Sequence, residues 1–282
     1  MSIPEAANPR IVNDAVERAL DEDRGSGDLT AELIPLETHM TAEVSVRADI
    51  VLCGTDWFRE VFRQLDPEIT IHWHAKDGDD VSGGSLVCRL EGAARPILTG
   101  ERTALNFLQT LSGTATVTRD YVTAVAGTGV TILDTRKTIP GLRLAQKYAV
   151  RCGGGENHRK GLYDAILIKE NHIAAAGGIH AAVEAARTNQ VLIEVEAETL
   201  AQVSEALDAQ TDRILLDNFS ADRLRKAVEL RDRHRVRKTE LEASGGISIE
   251  GIREIASTGV DYISIGALTK NVLAADFSLR FL

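Results

Sequence analysis

The chain has 282 residues, 44% hydrophobic and 26% charged, with a net charge of −10. That length corresponds to about two domains, each able to bury an ordinary core, and the average composition excludes a disordered or fibrous class. The acidic balance disfavours a nucleic-acid surface, and no run approaches the roughly 18 apolar residues of a membrane span. Residues 1–10, with Pro4, Glu5 and Pro9, lack the basic lead and apolar core of a secretory signal. A cytoplasmic protein with neither nucleic-acid nor membrane partners is expected. Cys53, Cys88 and Cys152 are odd in number and widely spaced, which fits reduced thiols rather than a disulfide framework or a zinc knuckle.

In chain order, residues 11–20 have helical period, 41–53 alternate like a strand, and 57–65 are helical again. Residues 68–90 carry strand signals broken at Asp77-Gly78 and Gly83-Gly84. This predicts an α+β layer with an antiparallel sheet. Residues 76–92 have the look of a biotinyl/lipoyl-like hairpin but lack a lysine at the hairpin tip, so they read as a structural meander. His72 and His74 share a strand face, but with no third ligand in view they read as structural. Over residues 99–111, Arg102, Leu105, Leu108 and Leu111 recur at helical spacing, and Gly113 is expected to interrupt before a further helix to about residue 125.

The second half alternates short apolar runs (130–134, 165–169, 191–195, 213–217, 239–243 and 262–265) with helical segments such as 179–188, 199–209 and 221–231. Alternating β and α units imply a parallel sheet. With fewer strands than a closed barrel has, the expectation is an irregular, incomplete parallel α/β barrel. The predicted domains are an N-terminal α+β domain, 1–112, joined by the C-terminal segment 270–282, and a barrel, 113–269.

In such a barrel the reacting groups sit at the carboxyl ends of the strands. Period-two alternation puts Lys169 opposite Ile166 and Ile168, and places Glu194 and Glu196 on the lumen face with Ile193 and Val195 toward covering helices. Asp217 ends the next strand. Unpaired buried acids are costly, so the cluster suggests a polyhydroxyl or metal-bearing ligand, with internal salt bridges as the alternative. Ser244-Gly245-Gly246 and Gly266 follow the last two strands, where barrels commonly cradle phosphate. From Arg136 to Lys160 the chain carries seven Lys and Arg against the single acid Glu156. The bland reading is a solvated basic helix face. Cations beside a phosphate cradle and three acids instead fit one substrate bearing carboxylates and another bearing phosphates.

The runs ILDTRKTIPGLR (132–143) and YAVRCGGGENHRKGLYDAILIKENH (148–172) closely resemble the signature of quinolinate phosphoribosyltransferases, also called nicotinate-nucleotide pyrophosphorylases. The likeness extends to ALDED (19–23), GDLT (27–30), GERTALN (100–106), LSGTA (111–115), LLDNF (215–219), EASGG (242–246) and ISIGAL (263–268). The resemblance implies an enzyme of NAD biosynthesis that joins quinolinate to phosphoribosyl pyrophosphate with loss of pyrophosphate and CO2. It implies that Arg136, Lys137, His158, Arg159 and Lys169 line the quinolinate pocket, with His172 close by and Arg102 supplied by a partner subunit of a homodimer or an assembly of dimers. It assigns Glu196 and Asp217 to the ribose hydroxyls and Mg2+, and Ser244, Gly245 and Gly266 to the 5′-phosphate. Lys137, Lys169, Glu196 and Asp217 are the expected catalytic set. Rival readings are a nicotinate-using relative, a paralogue specialised for molybdenum transport, and a non-catalytic phosphate-binding module. Intact Lys137, Glu196 and Asp217 argue against the last.

Overall fold

The computed structural model describes residues 8–234 and 239–282. In chain order the elements are α1 (Pro9–Arg24), β1 (His39–Val46), β2 (Ile50–Val51), α2 (Thr55–Leu65), β3 (Thr70–Trp73), β4 (Asp80–Val81), β5 (Leu86–Ala93), α3 (Ala94–Ala124), β6 (Thr131–Leu133) and α4 (Arg143–Cys152). They continue with β7 (Ile166–Ile168), α5 (Glu170–Ala176), α6 (Ile179–Ala186), β8 (Ile193–Ala197), α7 (Leu200–Asp208), β9 (Arg213–Asp217), α8 (Ala221–Arg233), β10 (Glu240–Ser244), α9 (Ile252–Ala256), β11 (Tyr262–Ser264), α10 (Ala267–Lys270) and β12 (Phe277–Phe281). None of the helices among the described residues is long and apolar enough to cross a membrane.

Two compact units emerge, one of residues 1–119, 138–154 and 267–282, the other of 120–137 and 155–266. The first holds an antiparallel sheet of order β12-β1-β5-β3 and a small β2-β4 pair. Helix α1 begins where the Asn8 side chain accepts the Arg10 N–H beside Pro9, and it ends at Gly25. It buries Val12, Ala15, Val16 and Leu20, one face at helical period. Trp57, Phe58 and Phe62 of α2 pack into a core with Leu90, Leu105, Leu108 and Leu111.

Three expectations change here. Gly113 does not interrupt a helix, because α3 runs unbroken for 31 residues. A Cβ at Gly113 would stand 2.0 Å from the carbonyl oxygen of Leu273, so this glycine admits a passing backbone rather than making a turn. The strand expected over 41–53 divides into β1 and β2, with a register shift already present between Val44 and Ser45. Segment 138–154, not anticipated by a boundary near Gly113, folds with the first unit. It carries α4, where Lys147 is buried at 2% exposure, so the basic stretch is not simply a solvated face.

The second unit is a six-stranded sheet of order β6-β11-β10-β9-β8-β7, parallel at every pairing. It is the expected incomplete barrel, since β6 and β7 do not pair with each other. Side chains alternate across it: Ile193 and Val195, Ile214 and Leu216, Leu241 and Ala243, and Ile263 are buried, most on the helix-covered face. Strand ends lead into capped helices, with Thr199 accepting the Gln202 N–H at α7 and Ser220 accepting the Arg223 N–H at α8.

Candidate active site

The lumen face of the parallel sheet is layered by register. Glu240 and Arg213 are directly paired neighbours at the amino ends, Glu242 lies beside Leu215 one pleat higher, and Ser244 pairs with Asp217 at the carboxyl ends. Glu194 and Glu196 climb β8 in the same way.

At the bottom, Arg213 donates to Glu240 at 2.9 Å and to Glu242 at 3.4 Å, with its guanidinium 3.9 Å over the Tyr262 ring. In the middle layer, Nε2 of His158 lies 2.8 Å from Oε2 of Glu194 and 3.5 Å from Oε2 of Glu242. Both glutamates are essentially inaccessible, at 1% and 0% exposure. Burial pushes Glu194 up to about 7, against the opposing charges of Arg213 and Arg159 and a hydrogen bond with Glu242. Burial first, and then the charge of Glu194, pushes Glu242 up to about 8.

His158 sits on a segment stitched to the free edge of β6. Glu156 N–H donates to Ile132 O at 2.8 Å, and Asp134 N–H to Glu156 O at 3.1 Å. Buried Asp134 accepts from the His158 N–H at 2.9 Å and from Asn157 Nδ2 at 2.6 Å. The Gly153-Gly154-Gly155 turn permits this run, with Gly154 at φ +94°. Nδ1 of His158 accepts the Arg159 N–H at 2.8 Å. With Nδ1 turned to the following backbone N–H, the ring presents its Nε2 edge to the lumen acids. Its ring faces the lumen acids Glu194 and Glu242.

Above this layer lies the strand mouth. Arg159 donates to Ala165 O at 3.4 Å, and its pKa is lowered by partial burial first and by the neighbouring Arg136 charge second. Two guanidiniums whose charges are felt in a partly desolvated place favour an anion between them. The Lys137 N–H donates to Thr135 Oγ1 at 3.1 Å, and its side-chain Cδ would lie 3.2 Å from a Cβ at Gly266, so the lysine packs over that glycine. Lys169 forms an ion pair with Glu196, and its N–H donates to Nδ1 of His172 at 3.0 Å at the start of α5. Asp217 accepts from the Asn218 side chain at 2.8 Å.

Asn218 links the two glycine-bearing loops. Its N–H donates to Ser244 O at 2.9 Å, it adopts φ +55°, and its Oδ1 would be 2.2 Å from a Cβ at Gly245, itself at φ +100°. Only glycine fits there, leaving backbone at the surface of the loop where an anion can approach. Arg136, Lys137, His158, Arg159, Lys169, Glu196, Asp217, Ser244, Gly245 and Gly266 thus all belong to the second unit, whereas Arg102 is an exposed residue of α3 in the first. His172 is exposed on α5.

Asp134, Arg213 and Glu242 form much of the site's support without having been singled out for it. The alternation Glu240, Glu242, Ser244 against Arg213, Leu215, Asp217 was the available signal. Among the described residues, two groups are tight enough to hold a metal, Cys53–Asp77–Cys152 and His158–Glu194–Glu242. In the first, the Asp77 carboxylate already accepts from the Gly54 and Thr55 N–H groups and the Tyr148 hydroxyl. In the second, both carboxylates are closed off from solvent. Glu196 and Asp217, on adjacent strands, offer the hard carboxylate oxygens that Mg2+ takes when phosphates and water complete its shell.

Known proteins match this chain along most of its length. Residues 114–280 match the model of the quinolinate phosphoribosyl transferase C-terminal domain, and residues 28–112 match that of the N-terminal domain. The chain is 44% identical over 261 residues to a probable nicotinate-nucleotide pyrophosphorylase (carboxylating) of Bacillus subtilis, covering 92% of this chain and 89% of the relative. It is 39% identical to a mitochondrial quinolinate phosphoribosyltransferase (decarboxylating) of Nicotiana tabacum, with coverage of 95% and 82%. The solved nicotinate-nucleotide pyrophosphorylase of Francisella tularensis superposes with a TM-score of 0.95 at 45% identity, covering all of both chains. The chain belongs to the quinolinate phosphoribosyl transferase family.

Proposed function

We propose that this chain transfers the phosphoribosyl group of phosphoribosyl pyrophosphate to quinolinate, releasing pyrophosphate and CO2 and yielding nicotinate mononucleotide for NAD biosynthesis. The observation that carries the reading is one barrel mouth bearing both the Arg136–Arg159 cation pair and the acids Glu196 and Asp217 beside the Asn218–Gly245 loop junction.

Arg136, Arg159, Lys137 and Lys169 take the two carboxylates of quinolinate, relieving the repulsion between the guanidiniums. Ser244, Gly245 and Gly266 take the 5′-phosphate, and Glu196 and Asp217 hold the ribose hydroxyls. Glu196 and Asp217 would hold Mg2+, which when bound would supply positive charge to the departing pyrophosphate. The pyridine nitrogen attacks C1 of the ribose with its own lone pair, so no general base is needed, and the electrons of the broken C–O bond leave with pyrophosphate. The two carboxylates face the sugar while it carries positive charge. The resulting pyridinium accepts the electron pair released when the adjacent carboxylate departs as CO2, and the ring carbon then takes a proton. Lys137 and Lys169 position and neutralise rather than attack, and His172 flanks the quinolinate end.

The assembly proposed is a homodimer with shared sites, supported by Arg102 standing exposed on α3 where a second subunit could receive it. A cytoplasmic setting is supported by three free, buried cysteines. The test of the activity is incubation with phosphoribosyl pyrophosphate and Mg2+ plus quinolinate, nicotinate or no acceptor. Pyrophosphate release that requires quinolinate is expected. Release that is equal with nicotinate, or absent with both, refutes the reading.

A further inference from the structure

Neither oxygen of Glu194 nor Oε1 of Glu242 has a hydrogen bond of good geometry among the described residues, although both side chains are buried. Stability alone does not account for such an acid, because an under-satisfied buried carboxylate is costly. What stands against Glu194 is the His158 ring, with Nε2 at 2.8 Å from its Oε2, off the straight N–H line, and 3.5 Å from Glu242.

We propose that Glu194, backed by Glu242, is a positioning residue for quinolinate: it holds the Nε2–H edge of His158 in the lumen, and His158 in turn fixes Arg159. The chain of contacts is short. With Nε2–H turned toward the two carboxylates, Nδ1 points back to accept the Arg159 N–H at 2.8 Å. On the other side of the same residue, Asp134 accepts the His158 N–H at 2.9 Å. The peptide groups before and after His158 are thus both held, and the second fixes where the Arg159 side chain begins. Arg159 can then stand against the repulsion of Arg136, which by itself would drive the two guanidiniums apart. Glu194 touches no substrate group, and its effect passes through the ring and one backbone N–H.

The inference rests on the assignment of Arg159 to the quinolinate pocket. Its test uses Glu194→Met, which keeps volume and removes the acceptor, and Glu194→Gln, which keeps an oxygen for His158 and offers an amide N–H to Glu242. The full-length variants are assayed by saturation kinetics in each substrate, with circular dichroism as the check on folding. Expected for E194M is a quinolinate KM raised about tenfold or more, with the KM for phosphoribosyl pyrophosphate within about twofold of wild type. E194Q should restore quinolinate KM to within about threefold. A quinolinate KM unchanged in E194M, equal damage to both substrates, or equal impairment of E194M and E194Q each overturns the proposal.

A second measurement needs no variant at residue 194. In wild-type protein carrying nitrogen-labelled histidine, the His158 resonance, assigned by its loss in His158→Gln, should show the proton on Nε2 and none on Nδ1 at about pH 7.5. A proton on Nδ1 overturns the proposal even if E194M does not fold. Absence of quinolinate turnover in the wild type would instead overturn the proposed function, and leaves this tautomer result standing on its own.

Discussion

Glu194 and Glu196 stand on the same face of β8, about 6–7 Å apart along the strand, yet their surroundings differ in kind. Glu196, with 14% of its side chain exposed, meets the Lys169 ammonium at the rim of the barrel. Glu194, one pleat deeper and buried, meets an imidazole and another carboxylate. The same contrast separates Asp217 from Glu242 on the neighbouring strands. Depth within the lumen decides what an acid can do. At the rim its charge is affordable and available to a ligand, whereas on the floor the charge is suppressed and the group serves as an acceptor that fixes its neighbours.

The largest expected effect is at the rim. Asp217→Ala should lower kcat/KM by about a hundredfold to a thousandfold while leaving thermal unfolding close to wild type. Steady-state kinetics beside a melting curve measures both. An equal loss of stability would erase the distinction between rim and floor, and an unaltered affinity for phosphoribosyl pyrophosphate would remove Asp217 from the sugar site.

Next in size is the choice of acceptor. Nicotinate, with one carboxylate, satisfies the Arg136–Arg159 pair less fully, at a cost of about 1–3 kcal/mol, or roughly 5- to 150-fold in inhibition constant relative to quinolinate. Competitive inhibition measured for both acids checks this, and equal constants would mean that the cations do not read the second carboxylate.

A change far from either acid layer calibrates the stability scale. Gly113→Ala places a methyl 2.0 Å from the Leu273 carbonyl oxygen and should cost about 1–3 kcal/mol or more of unfolding free energy. Denaturant titration reads it, and no loss would mean that the α3 backbone is not held against Leu273.

The smallest effect belongs to the floor. The pKa of Glu242 is raised in the folded chain to about 8 from an ordinary 4.5. The native state therefore binds its proton more tightly than the unfolded state does, and the associated stability is present below about pH 4.5 and lost as pH rises toward about 8. The groups facing it are Glu194, His158, Arg213 and Ser264. Glu242→Gln is neutral throughout, so the decline in melting temperature across this window should be shallower than in wild type. Parallel curves would show that Glu242 is not the group responsible.

Most of the rim was legible in the sequence, because period-two alternation assigns Lys169 and Glu196 to a face, Asp217 ends its strand and the glycines mark the loops. The parallel strands were legible for the same reason, within one or two residues at their ends. The support was not. The orientation of the His158 ring depends on a bond from its successor's N–H, which no pattern of residue types encodes. Glu242 preceded a recognisable glycine pair and was overshadowed by it. In the first unit, Gly113 read as a break because its reason lies 160 positions away at Leu273. Helix α4 was obscured by buried Gln146 and Lys147, which depart from the apolar pattern a buried face normally shows.

The central claim, that this barrel mouth joins a dicarboxylate to a phosphoribosyl group, is tested most directly by stoichiometry. With quinolinate labelled in the carboxylate adjacent to the ring nitrogen, CO2 and pyrophosphate are collected from the same reaction. They should appear in equal amounts and only when both substrates are present. Pyrophosphate without labelled CO2, or labelled CO2 without phosphoribosyl pyrophosphate, would contradict it.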